Sequence, residues 1–289
     1  MEKALEMKSK NNLLSSDIKH KIGVFLKYFV LIFQSVLALY PFIWVINSGF
    51  KSNQEIYMNS FGLPAIWKIE NYIRAINSES MRTGFTNSVI VTASVLVLVV
   101  VCGSMVSYVI ANVLRSNVMY LYFTMGIMIP MTSILIPVFL MLKTMGLLNS
   151  LLGLIIIYAA CQMSMTVFVL TGFLRGIPKE IEEAAIIDGC TRTQSFFKII
   201  FPLAKPGIAT VCTLVFIYCW NDYLFSTIIA GSGRLRTIIV AVYMSKSEMQ
   251  TDYGMLCANL AMSILPIMIF YAIFQEQVIK GMVSGSVKA

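Results

Sequence analysis

The feature that most constrains this chain is a series of apolar stretches separated by short polar ones. Residues 28–46, 83–114, 116–142 and 144–174 contain no Asp, Glu, Lys or Arg, and residues 206–230 and 253–275 are nearly as apolar, the former broken by Asp222. Crossing the hydrocarbon core takes about 20 apolar residues in a helix. Within lipid each backbone group must be satisfied internally, so such stretches fold as helices. The fold expected is therefore an all-α integral membrane protein with six transmembrane helices. Residues 1–27 form a polar N-terminal segment, 28–275 the transmembrane domain and 276–289 a tail. Pro41 falls in the first span, Pro130 and Pro137 in the third and Pro266 in the sixth.

Composition agrees: 58% of the 289 residues are hydrophobic, 12% are charged, and mean hydropathy is +0.79. A soluble domain carries about a quarter charged residues. The net charge of +8 arises from basic residues dispersed between apolar runs, without the single basic face that nucleic acid requires. Six spans place both termini on one side. With the N-terminus inside, the inner segments hold 14 basic residues and the outer ones 8, which predicts cytoplasmic termini. Residues 51–82 and 231–253 are then outer loops. The cysteines lack ligand or disulfide spacing, and His20 is the sole histidine. No GxxxxGK[ST] segment exists to cradle nucleotide phosphates. Asp222 is the only acid within a span, a scarcity that argues against an ion-coupled carrier, whose coupling sites need buried ionisable groups.

Residues 176–207 interrupt the apolar pattern with a polar island, GIPKEIEEAAIIDGCTRTQSFFKIIFPLAKPG. Pro178 followed by Glu180, Glu182 and Glu183 reads as a helix start, and Gly189, after Asp188, as its stop. The spacing puts Ile181, Ala184 and Ala185 on one face, with Lys179, Glu182 and Glu183 on the others. Thr191 and Gln194 have the form of a capping box opening a second helix, which passes Ile199 and stops at Pro202. A helix–turn–helix of this kind suits either a cleft in another protein or the headgroup layer of the membrane. In the fifth span, Tyr218, Trp220, Asn221 and Asp222 form the most polar and aromatic cluster of any span. They suit either a path for a hydroxyl-rich solute or an interfacial anchor, with Trp220 and Tyr223 at the boundary and Asp222 in headgroup water. Gln162 is a milder candidate on the fourth span.

The order Glu183-Ala184-Ala185, three residues, Gly189, nine residues, Ile199, then Pro202 resembles the EAA loop of binding-protein-dependent ABC importer permeases, with Phe201 where Leu is usual. The likeness extends to Tyr40-Pro41-Phe42-Ile43-Trp44, Asn71-Tyr72, Phe85-Thr86-Asn87-Ser88, Trp220-Asn221-Asp222-Tyr223 and the ending from Ile279 to Lys288. These are similar to the second permease of maltose-type sugar importers. The resemblance implies a type I importer permease fold in the bacterial plasma membrane. It also implies a different permease as partner, two ATP-binding subunits carrying ATP and Mg, and an external sugar-binding protein. The chain would bind no cofactor and catalyse no reaction. Glu182, Glu183, Ala184, Ala185, Asp188, Gly189, Ile199 and Pro202 would form the ATPase-coupling element, with residues 281–289 near the ATPases and 231–253 near the binding protein. Gln162, Tyr218, Asn221 and Asp222 are the candidates for the solute path. A permease for another solute class, or a non-transporting membrane scaffold, is the alternative.

Overall fold

The computed structural model describes residues 2–246 and 251–286, with side chains described for 20–246 and 251–276. The first helix, α1, runs Glu2–Ser48. It begins well before residue 28, because residues 2–27 contain no proline and are rich in Lys and Leu, which favour helix. Most of its apolar section is exposed, and burial begins only at its end, where Ser48 is covered. Short helices α2 (Asn53–Met58) and α3 (Glu70–Asn77) follow, so the stretch expected as an outer loop is a folded cap. Lys51 is buried beneath it. Its ammonium donates to the carbonyls of Asn59 (2.7 Å) and Gly62 (2.6 Å), which is how a buried cation is made tolerable.

Helix α4 (Glu79–Tyr108) runs on into a π turn, Val109–Val113. The third apolar run is broken. Helix α5 (Asn117–Met125) leads through 3₁₀ turns on either side of Pro130 to α6 (Leu135–Thr144), and the two halves are bent by 85°. Ile129 precedes the proline and is extended, as its clash with the ring demands, so helix cannot continue through it. Helix α7 (Leu151–Leu174) starts at Ser150, whose hydroxyl accepts the Gly153 N–H at 2.9 Å. It packs along α4 at close range. A Cβ on Gly103 of α4 would stand 2.3 Å from the Thr166 methyl, so only glycine admits this approach.

Next come α8 (Lys179–Ile187), α9 (Arg192–Ser195), a π turn at Phe196–Ile200, and α10 (Phe201–Leu203). After a 72° bend, α11 (Lys205–Asn221) ends where α12 (Leu224–Ala230) begins, so the fifth run is two helices joined at Asp222 and Tyr223. The outer segment after it is not an open loop either. Helix α13 (Ile238–Met244) buries Ile238, Val240, Ala241 and Val242. The last helix, α14 (Tyr253–Ser286), includes Pro266 and continues from the sixth apolar run into the segment expected as tail, as far as Ser286. Among the described residues four helices are long and apolar enough to span a membrane, and up to six spans result when each bent pair counts as one.

The core lies between α4, α7 and α11, with Val95, Val99, Leu154, Tyr158 and Val215 at its centre. The connecting segments sort into two sets by contact. Asn87 bonds the carbonyls of Arg234 and Arg236, Arg74 pairs with Asp252 at 2.8 Å, and Ser232 bonds Asn149, so 51–82, 143–150 and 231–253 share one end. Asn112 and Arg175 join the 112–117 turn to the 175–182 segment at the other. This is the alternation that six crossings require.

Candidate functional site

The polar island folds as a helix, a tight turn and a second helix. Helix α8 carries Glu180 and Glu182 in its first turn, where unsatisfied N–H groups favour anions. It ends in a Schellman arrangement: the Gly189 N–H bonds the Ile186 carbonyl (3.1 Å) and the Cys190 N–H bonds the Ala185 carbonyl (3.0 Å). Gly189 sits at φ +89°, a backbone suited to a residue without Cβ. The capping box is present: Thr191 Oγ1 accepts the Gln194 N–H (3.3 Å), and Gln194 Oε1 accepts the Thr191 N–H (2.9 Å).

The second helix does not stop at Pro202 as expected; it runs to Leu203. Pro202 has no N–H to give and its ring would crowd the carbonyl one turn back. The π turn before it widens that turn, with the Phe201 N–H reaching the Phe196 carbonyl. Ile199 and Pro202 are half-buried.

Of the trio that spacing places on one face of α8, Ala185 is buried, whereas Ile181 and Ala184 are exposed. The inward residue beside Ala185 is Glu182. Its carboxylate accepts the Tyr108 hydroxyl, from the end of α4, and the Asn112 side-chain N–H (2.6 Å), from the π turn that follows. An acid with two specific donors is satisfied where an isoleucine would merely be covered. Tyr108 also packs on Phe196 at 4.9 Å, so both π turns and α8 meet in one cluster with Leu174, Ile200 and Ala204. The opposite surface of α8 presents Glu183, Ala184, Ile186, Ile187 and Asp188, with Ile187 84% exposed. It is an apolar and acidic ridge without cover in this chain. Tyr108 and Asn112 were not singled out from sequence, although an amide and a phenol near the end of an apolar run were the available signal.

The solute-path candidates divide. Asp222 does not simply reach headgroup water: its carboxylate accepts the Tyr158 hydroxyl (2.6 Å) and the Ser226 N–H (3.0 Å), fixing α12 against α7. Trp220 is no boundary anchor. It is 2% exposed, donates its indole N–H to the Ser263 carbonyl (3.0 Å) and stacks on Phe216. Tyr218 lies edge-on to Tyr158 and half-buried, and makes no hydrogen bond through its hydroxyl among the described residues. Gln162 is buried one turn along α7 from Tyr158. Asn221 is exposed and bonds back to its own helix at Ile217. A cavity of about 790 Å³ lies between α4, α5 and α7 and is walled by residues such as Leu98, Tyr122, Met125 and Met163, with none of Gln162, Tyr218, Asn221 or Asp222. Among the described residues no three His, Cys, Asp or Glu side chains converge as metal ligands.

Residues 99–283 match the family described as "Binding-protein-dependent transport system inner membrane component". The chain belongs to that family. The matched region takes in α8, its glycine turn and the Tyr108 and Asn112 side chains that hold Glu182. The chain is 34% identical to the diacetylchitobiose uptake system permease NgcG of Streptomyces coelicolor, over 89% of this chain and 86% of that one. It is 30% identical to the probable starch degradation products transport system permease AmyC of Thermoanaerobacterium thermosulfurigenes (93% and 99%) and 32% identical to the multiple sugar-binding transport system permease MsmG of Streptococcus mutans (93% and 99%). A crystal structure of a bacterial ABC transporter involved in alginate import has the same fold, with TM-score 0.77 over 89% of this chain and 96% of that chain, at 21% identity. This permease is thus a multi-pass membrane subunit of a larger transporter.

Proposed function

We propose that this permease serves an ATP-driven importer of sugars or oligosaccharides, forms half of its translocation path and couples that path to ATPase subunits. The observation that carries the proposal is the likeness, over nearly the whole chain, to relatives such as NgcG, AmyC and MsmG, whose names specify carbohydrate uptake. The complex contains a second, different permease, two ATP-binding subunits holding ATP and Mg, and an external sugar-binding protein. The excess of basic residues at the α8 end and in the N-terminal segment makes that end cytoplasmic.

The uncovered ridge of Glu183, Ala184, Ile187 and Asp188 then seats on an ATPase subunit, and Glu182 passes its displacement to α4. A stiff helix held by two hydrogen bonds moves as a unit, and packed interfaces switch between discrete arrangements. Asp222 acts in this reading as a fixed corner. Solute contact is assigned to Tyr218, whose ring and unpaired hydroxyl suit a sugar. The test is purification of the tagged permease from native membranes, with identification of what accompanies it, followed by ATPase stimulation with binding proteins loaded from a sugar panel. A P-loop ATPase, a second permease and stimulation by a sugar are expected. Stimulation by an amino acid or phosphate binding protein alone would overturn the carbohydrate assignment.

A further inference from the structure

At the α8 end, a cavity of about 350 Å³ opens between the last residues of α4, the first of α5 and the turn from α7 into α8. Its wall carries Arg115, Arg175 and Lys179, and no carboxylate pairs with any of the three among the described residues. Arg175 is held in place: it donates to Asn117 Oδ1 (3.0 Å) and lies over the Tyr120 ring, 4.8 Å from its centre. Arg115 turns the chain between α4 and α5 at φ +50°, a backbone that arginine rarely adopts. The Glu182 carboxylate, on the helix that Lys179 opens, is already engaged by Tyr108 and Asn112. The cavity is a concentration of positive charge facing space.

We propose that this cavity binds the headgroup of an anionic glycerophospholipid, with the phosphodiester between Arg115, Arg175 and Lys179. Guanidinium forks match phosphate oxygens, and basic pockets between the ends of membrane helices suit such headgroups. Position favours a lipid over a soluble anion. The cavity sits where the apolar spans of α4 and α7 end, at Val113 and Leu174. Beside it α5 has no buried residue and leaves Val118, Met119, Leu121 and Tyr122 exposed, a surface for acyl chains. Phosphatidylglycerol, whose phosphodiester carries one negative charge and two free acceptor oxygens, is the probe of this chemistry.

The test uses the assembled transporter, purified in mild detergent and examined by native mass spectrometry. Wild type is expected to retain phosphatidylglycerol. The Arg115→Gln/Arg175→Gln/Lys179→Gln variant, confirmed to co-elute with its partner subunits, is expected to lose affinity on the order of a hundredfold. Neutralising Lys68 and Lys143, at the opposite end, should change nothing. A second arm needs no variant: in nanodiscs, adding phosphatidylglycerol to phosphatidylcholine should protect Lys179 from amine labelling, and inorganic phosphate should not. Equal retention by the triple variant, equal protection by inorganic phosphate, or carbodiimide cross-linking of Lys179 to a subunit carboxylate with no lipid retained would each overturn the proposal.

Discussion

Glu182 and Arg74 show how a charged residue at a membrane surface takes its role from its partners. Glu182 is held by two donors, one from α4 and one from the π turn that follows, and removing it strands both. Loss of such a contact costs about 1–3 kcal/mol, mostly through the groups left unpaired. Glu182→Ala is expected to lower uptake per ATP hydrolysed in proteoliposomes while basal ATPase persists, and Glu182→Gln, which keeps an acceptor, should recover most of the loss. A purely structural role would instead lower assembly of both variants, readable by co-elution. At the other end, burial alone would raise the Asp252 carboxyl, but the Met255 N–H and the Arg74 guanidinium outweigh it and hold it below the usual value of 3.8. Because the folded-state pKa is lowered, this contact contributes above the unfolded value and is lost as pH falls through the folded one. Both side chains are about half exposed, so the contribution is at most about 1 kcal/mol. Arg74→Gln should therefore lower the thermal midpoint slightly at neutral pH and not at all in strong acid.

At the scale of elements, the α8 turn and the broken helices follow different rules. The turn is locally encoded: a glycine at φ +89° ends α8, and a capping box opens the next helix two residues later. A side chain in the left-handed region costs roughly 1–2 kcal/mol, more when β-branched. Gly189→Val should uncouple hydrolysis from uptake more severely than Gly189→Ala, although no neighbour stands within 4 Å of a new Cβ. Unchanged sugar-stimulated ATPase and uptake in Gly189→Val would show that the turn does not transmit motion. The 85° bend at Pro130 and the continuation through Pro202 could not be told apart from proline positions alone. One proline follows an extended residue and breaks the helix; the other follows a π turn and is absorbed.

Across the whole molecule, α1 leaves most of its long apolar surface exposed among the described residues, whereas α4 and α7 bury much of theirs against each other. Van der Waals packing drives helix association in lipid, so such a helix gains from a partner of matching shape. The permease made without its partner permease is expected to be degraded faster in a pulse-chase than when both are made together. Equal lifetimes would mean that lipid alone suffices to cover α1.

Membrane character, the number of crossings, the position of the polar island and its glycine turn were legible in the sequence, because they rest on local quantities: run length, charge and turn chemistry. The family likeness was legible too, since it resides in the order of residues such as Glu183, Gly189 and Pro202. The inward face of α8, the burial of Lys51 and Trp220, the bond from Tyr158 to Asp222 and the gathering of Arg115, Arg175 and Lys179 were decided only by tertiary structure. Each joins residues far apart in the chain. Whether a polar side chain is inside or outside depends on which donors or acceptors its neighbours bring, and periodicity along one helix carries no record of them.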